Sequence, residues 1–216
     1  DLWLTFVRET SGVRDPVLDF LIGENDLTWH SAIILTSKGE KIFILGNLEK
    51  DTALRMDVYN EVIGYDKSIK ELLRDTILRL QPRQIAVNTS RNNVHADGLT
   101  HSMYEELRDY LAGTPYADRL ISAEPVINAM RGRKTQTELA RIQKAVEITN
   151  EIYQKTFTFI KVGMTEIEVA NYMHALMQEY GVGHAWPSEN NPAVNSGPNS
   201  PVGHNGPTDI RIEPGH

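Results

Sequence analysis

Cysteine is absent from the 216 residues. Disulfides, thiolate zinc sites, iron–sulfur clusters and a cysteine nucleophile are excluded with it, and the absence suits a reducing, cytoplasmic setting. No apolar run approaches the ~20 residues that cross a bilayer. The apolar opening at residues 2–7 is too short for a signal peptide and lacks a basic flank. Basic charge is also scarce: 22 Lys and Arg against 29 Asp and Glu leave a net charge of −7. That balance argues against a nucleic-acid surface and against attraction to anionic membranes. Missing too are the glycine-rich dinucleotide and phosphate loops, the His-Glu-x-x-His zinc helix and the Gly-x-Ser-x-Gly nucleophile turn. No internal repeat or low-complexity tract occurs. With 40% hydrophobic and 24% charged residues, the chain falls among globular proteins with real cores.

The first half alternates strand and helix signals, the pattern of an α/β layer. Residues 2–7 are apolar and β-favouring, as a buried strand is. Asp15-Pro16 supplies an N-cap and a first-turn proline for a short helix with Val17, Leu18, Phe20 and Leu21 on its apolar face, stopped by Gly23. Residues 31–36 and 41–45 flank a Gly-containing turn and predict a hairpin. Residues 58–65 read as a further strand, residues 67–80 as a helix ended by Pro82, and residues 85–88 as a short strand. Ser102-x-x-Glu105 resembles a capping box for a helix through Leu111.

Composition shifts at residues 128–134, where a boundary between two domains, 1–130 and 131–216, is expected. Thr135-x-x-Glu138 and Thr165-x-x-Glu168 are capping boxes for two long amphipathic helices. The first presents Leu139, Ile142, Val146, Thr149 and Tyr153; the second presents Val169, Tyr172, Met173, Leu176 and Tyr180. A turn-rich stretch follows. Five of the ten prolines lie between Pro192 and Pro214, among glycines and asparagines, with His204 in their midst. Fixed φ at proline, permitted positive φ at glycine and local hydrogen bonding by Asn and Ser specify a series of turns. Loops this long in a compact domain are functional or disordered.

Three features in order resemble the creatinase/prolidase/aminopeptidase P group of pita-bread metallopeptidases. They are Arg133-Lys134-Thr135-x-x-Glu138-Leu139-x-x-Ile142, then Gly163-Met164-Thr165-Glu166-x-Glu168-Val169-Ala170, then Ser196-Gly197-Pro198-Asn199-Ser200 with His204 and Glu213-Pro214-Gly215. Asp1-x-Trp3-Leu4, Asp15-Pro16-x-Leu18, Gly39-Glu40 and Ala96-Asp97-Gly98-Leu99-Thr100 are similar to that group's smaller N-terminal domain. The last of the three catalytic-domain features is the most specific.

The resemblance implies a small N-terminal α/β domain followed by the beginning of a pita-bread α+β catalytic domain. It implies hydrolysis of Xaa-Pro bonds in proline-containing peptides, a cytoplasmic homodimer, and no nucleic-acid or membrane partner. Proline after the scissile bond has no N–H and a locked φ, so strand-gripping proteases hold it poorly. The group's site carries a divalent metal pair (manganese, cobalt or zinc) on two Asp, one His and two Glu. Paired ions lower the pKa of a bridging water and clamp the tetrahedral intermediate.

The positions matching those ligands are expected beyond His216, so no metal ligand is assigned here, and the 216 residues alone are expected to be inactive. His204 is the catalytic and substrate-binding residue the resemblance carries over: it stabilises the reacting carbonyl oxygen. In a creatinase-like amidinohydrolase, which needs no metal, it would act in proton transfer instead. A catalytically dead relative serving as an interaction module is a third reading. Gly197, Pro198 and Asn199 are expected to shape the loop, Trp186 to be packed, and His184 to be solvated. His95 is expected to be a loop residue, while His30, His101 and His174 receive no role.

Overall fold

The computed structural model of the chain describes residues 1–201 and 203–216. In chain order its elements are β1 (Leu2–Val7), α1 (Leu18–Ile22), β2 (Ser31–Thr36), β3 (Lys41–Gly46), α2 (Lys50–Arg55), β4 (Glu61–Tyr65), α3 (Lys70–Leu80), β5 (Ile85–Val87), α4 (His101–Tyr110), β6 (Leu120–Ser122), α5 (Glu124–Gly132), α6 (Gln136–Phe159) and α7 (Glu166–Glu179). They fall into two compact units, Asp1–Arg133 and Lys134–His216.

The first unit is a six-stranded mixed sheet in the order β4-β3-β2-β1-β5-β6. β1, β2 and β3 pair antiparallel through the expected hairpin, while β4, β5 and β6 join parallel to β3, β1 and β5. Every residue of β1 is buried, as an uninterrupted apolar run predicts for a strand covered on both sides. On one face Leu4, Phe6, Ile34, Ile42 and Ile44 pack with Leu73 and Ile77 of α3 and Met103 and Leu107 of α4. On the other, Val7, Ile33, Phe43 and Leu45 pack with Leu18 and Ile22 of α1 and Ala53 of α2, and Trp3 and Ala86 pack with Ile127 of α5.

Four local expectations are corrected. Regular helix α1 begins at Leu18, because Asp15 instead closes a turn: its Oδ1 accepts from the Val17 N–H at 3.0 Å and its carbonyl from the Leu18 N–H at 3.1 Å. Phe20 lies off the apolar face, 52% exposed, with the Arg131 guanidinium 5.3 Å over its ring. Helix α4 is entered from Thr100 in extended conformation, so Ser102 and Glu105 lie inside the helix rather than at its cap. β4 starts at Glu61, not Val58, after a turn with positive φ at Asp57.

Three of the four motif fragments of the first half, those with Trp3, Asp15 and Gly98, meet at one buried polar cluster. The Trp3 indole N–H donates to Asn88 Oδ1 at 2.6 Å, and Asn88 Nδ2 donates to Asp15 Oδ2 at 2.9 Å and Thr5 Oγ1 at 3.2 Å. Burial pushes the Asp15 carboxyl up, against the lowering effect of its hydrogen bonds from Asn88 and Val17. Gly98 closes the cluster: a Cβ there would stand 2.1 Å from Asp15 Oδ2.

In the second unit, α6 and α7 each begin with the expected capping box, complete in both directions at Thr135/Glu138 and Thr165/Glu168. Their contact is confined to the C-terminal part of α6. Ile152 packs with Met173 and Leu176, and the Phe159 and Tyr172 rings stack at 3.8 Å. The anticipated apolar face of α6 is therefore largely exposed: Leu139, Ile142, Val146 and Tyr153 are open to solvent, and Ile152 and Thr156 are the buried residues of that helix.

Candidate functional site

The turn-rich stretch after α7 is ordered by that helix's own N-terminus. Residues 208–212 run back antiparallel along residues 163–167. The N–H groups of Glu166 and Ile167, which a helix start leaves without intrahelical acceptors, donate to the Ile210 and Thr208 carbonyls at 3.1 and 3.2 Å. The Gly163 N–H donates to Ile212 O and the Ile212 N–H to Met164 O, both at 2.8 Å. Arg211 adds a bond from its guanidinium to the Gly163 carbonyl at 2.6 Å.

Glu166, whose role the sequence alone does not reveal, is fully buried at the first position of α7. Its Oε1 accepts from the Ser196 N–H at 2.7 Å and the Ser200 hydroxyl at 2.6 Å. Its Oε2 accepts from the Thr208 N–H at 2.9 Å and the Thr208 hydroxyl at 2.7 Å. Burial raises the pKa of this carboxyl. The bonds from the Ser200 and Thr208 hydroxyls and from the Thr208 and Ser196 amides outweigh it and hold the group below the usual carboxylate range. Its seat at a helix N-terminus also favours the negative charge.

Gly197 shapes the loop as expected. It sits at φ +72°, and a Cβ would come 2.4 Å from the His216 ring, whose Nδ1 lies 3.1 Å from the Ser196 hydroxyl. His204 lies on the segment between Ser200 and Thr208, exposed, and among the described residues it makes no hydrogen bond or ion pair. Its imidazole is thus carried on a loop tied down at both ends.

A groove of about 430 Å³ in the same unit is lined by Ile152, Met173 and Met177 with His184 and Trp186. Trp186, expected to be packed, is 55% exposed, and its indole N–H donates to the Asn190 carbonyl at 3.1 Å. His184 is exposed as expected and meets the His174 ring edge-on at 4.8 Å. His174 is fixed by Nε2 at 2.6 Å from the Asn191 carbonyl.

In the first unit His30, left without a role, stands 3.1 Å from Glu106 Oε2, whose partner oxygen accepts from Tyr110 at 2.5 Å. His95 lies in a short 3₁₀ turn over Val94–Ala96, and His101 opens α4. Among the described residues, no three His, Asp or Glu side chains converge in a metal-binding set. The divalent pair therefore has no fit in these residues.

Comparison with known proteins shows what this chain is similar to. Residues 140–216 match the model of metallopeptidase family M24. An uncharacterised peptidase of Staphylococcus saprophyticus is 27% identical over 151 residues, covering 70% of this chain and 39% of that protein. The X-Pro aminopeptidase of Thermotoga maritima superposes with a TM-score of 0.58 at 19% identity, over 99% of this chain and 55% of its own. The prolidase of Pyrococcus horikoshii does so with a TM-score of 0.57 at 23% identity, over 99% of this chain and 53% of its own. At these identities the structural matches are likenesses of fold. The chain spans about two fifths of the length of the curated relative and about half that of the two structures. The resemblance to the creatinase/prolidase/aminopeptidase P group, N-terminal part only, holds on both counts. The mixed α/β architecture is that of the N-terminal portion of pita-bread Xaa-Pro peptidases.

Proposed function

We propose that the complete protein hydrolyses Xaa-Pro peptide bonds in a metal-dependent reaction of the aminopeptidase P or prolidase type. One observation carries the reading. The stretch that matches family M24 includes the clamped loop bearing Ser196-Gly197-Pro198-Asn199-Ser200 and His204. In this reading residues 1–130 form the N-terminal domain and residues 131–216 open the catalytic domain of a cytoplasmic homodimer. A divalent pair of manganese, cobalt or zinc is bound by residues outside this stretch.

The role proposed for His204 is the one the family resemblance implies, and its exposed place on a tethered loop supports it. Attack on a peptide carbonyl moves negative charge onto oxygen. A donor aimed at that oxygen stabilises the transition state more than the ground state. An exposed imidazole on a tethered loop supplies such a donor without being a metal ligand. His204→Ala in the full-length protein is expected to lower kcat about 10²–10³-fold, the range for loss of one oxyanion donor. Metal content, measured by elemental analysis, is expected to stay unchanged. Loss of metal with loss of activity contradicts the assigned role.

A further inference from the structure

We infer that Glu166 is the positioning residue for His204, its single carboxylate closing both ends of the loop that carries the histidine. The inference takes its reaction from the Xaa-Pro peptidase reading, but the closure itself stands on geometry. One carboxylate oxygen holds Ser196 and Ser200 on the outgoing limb; the other holds Thr208 on the returning limb. The outgoing limb is fixed further by Asn195, whose Nδ2 donates to the Ser200 hydroxyl oxygen at 2.8 Å and to the Pro201 carbonyl at 3.0 Å. On the returning limb Gly206 lies so close to the Glu189 backbone that a Cβ would stand 2.4 Å from its carbonyl oxygen.

Helix capping does not account for this carboxylate. Thr165 and Glu168 already complete a reciprocal box at the start of α7. All four Glu166 bonds instead reach residues 30 to 42 positions away, and all of them are in the loop. His204 is exposed and has no hydrogen bond among the described residues, so the hold on its loop lies at the two limbs. A loop of fixed ends spares a catalytic imidazole the search for its position, and misplacement by about 1 Å costs on the order of 10²-fold in rate.

Glu166→Gln keeps the shape and removes the charge. Whichever way the amide turns, its NH₂ faces two donors at one limb, so that limb is released. Hydrogen exchange reads the closure without any substrate. The amides of residues 196–208 in the full-length protein are expected to exchange about tenfold faster or more in the variant, with α6 and the sheet unchanged. Kinetics read its purpose. With the metal-loaded protein and an Xaa-Pro peptide, kcat is expected to fall about 10–100-fold while KM and metal content hold. In a His204→Ala background the same change is expected to cost nothing further.

Unchanged exchange, or losses that multiply in the double variant, overturns the inference. Thr208→Val, which removes one donor of the four, repeats the pattern at smaller size if Glu166→Gln fails to fold. Wild-type protein inactive on Xaa-Pro peptides sinks the substrate reading alone. The exchange measurement, with the His204 ring resonances shifting in Glu166→Gln, then decides the closure.

Discussion

At the scale of single residues, two buried carboxyls feel opposite balances. Glu166 is held ionised by its hydrogen bonds, so its pKa in the folded chain lies below the unfolded value of 4.5. A depressed pKa contributes stability that is present above 4.5 and is lost as pH falls through the folded value. Exchange in residues 196–208, followed from pH 6 downward, is accordingly expected to accelerate below about 4.5 relative to the sheet, and to lose that pH dependence in Glu166→Gln. Asp15 runs the other way. Its raised pKa gives a contribution present below 3.8 and lost as pH rises through the folded value. Next to it, Gly98→Ala would place a methyl 2.1 Å from a carboxylate oxygen that Asn88 pins. Urea unfolding of that variant is expected to show a loss of about 1–3 kcal/mol, the range for overpacked interiors.

At the scale of elements, what could be read from the sequence was whatever short-range chemistry decides. The hairpin, β1 and the two Thr/Glu capping boxes depend on residues within a few positions of one another, and the structure has them all. Thr165→Ala is expected to cost about 1 kcal/mol, the usual value of an N-cap, measured by thermal unfolding. The same pattern misled at Ser102-x-x-Glu105, because Thr100, two residues earlier, already provides the extended entry to α4. Helix α2, strand β6 and helix α5 had no reading: each is 9 residues or fewer, too short for periodicity to stand out. The face of α6 was legible as apolar but not as exposed. Amphipathic spacing reports which residues want cover, whereas packing reports which ones have it.

For the whole molecule, the family resemblance was legible because its motifs are contiguous, while the logic of the site was not. The Ser-Gly-Pro-Asn-Ser run and His204 lie together in sequence, whereas Glu166 stands in the second motif with no role of its own. Its partners at positions 196, 200 and 208 are brought to it only by the return of residues 208–212 along the start of α7. Likewise Trp3, Asp15 and Gly98 belong to separate motif fragments, and the fold joins them through Asn88, just after β5.

The central claim, metal-dependent Xaa-Pro hydrolysis by the complete protein, is tested by stripping the full-length protein with a chelator. Manganese or cobalt is then restored, and residue release from an Xaa-Pro peptide is compared with release from its Xaa-Ala counterpart. The account predicts activity that disappears on chelation, returns with the metal and favours the Xaa-Pro peptide. Activity that survives chelation, or a metal-loaded protein that leaves the Xaa-Pro bond intact, contradicts it.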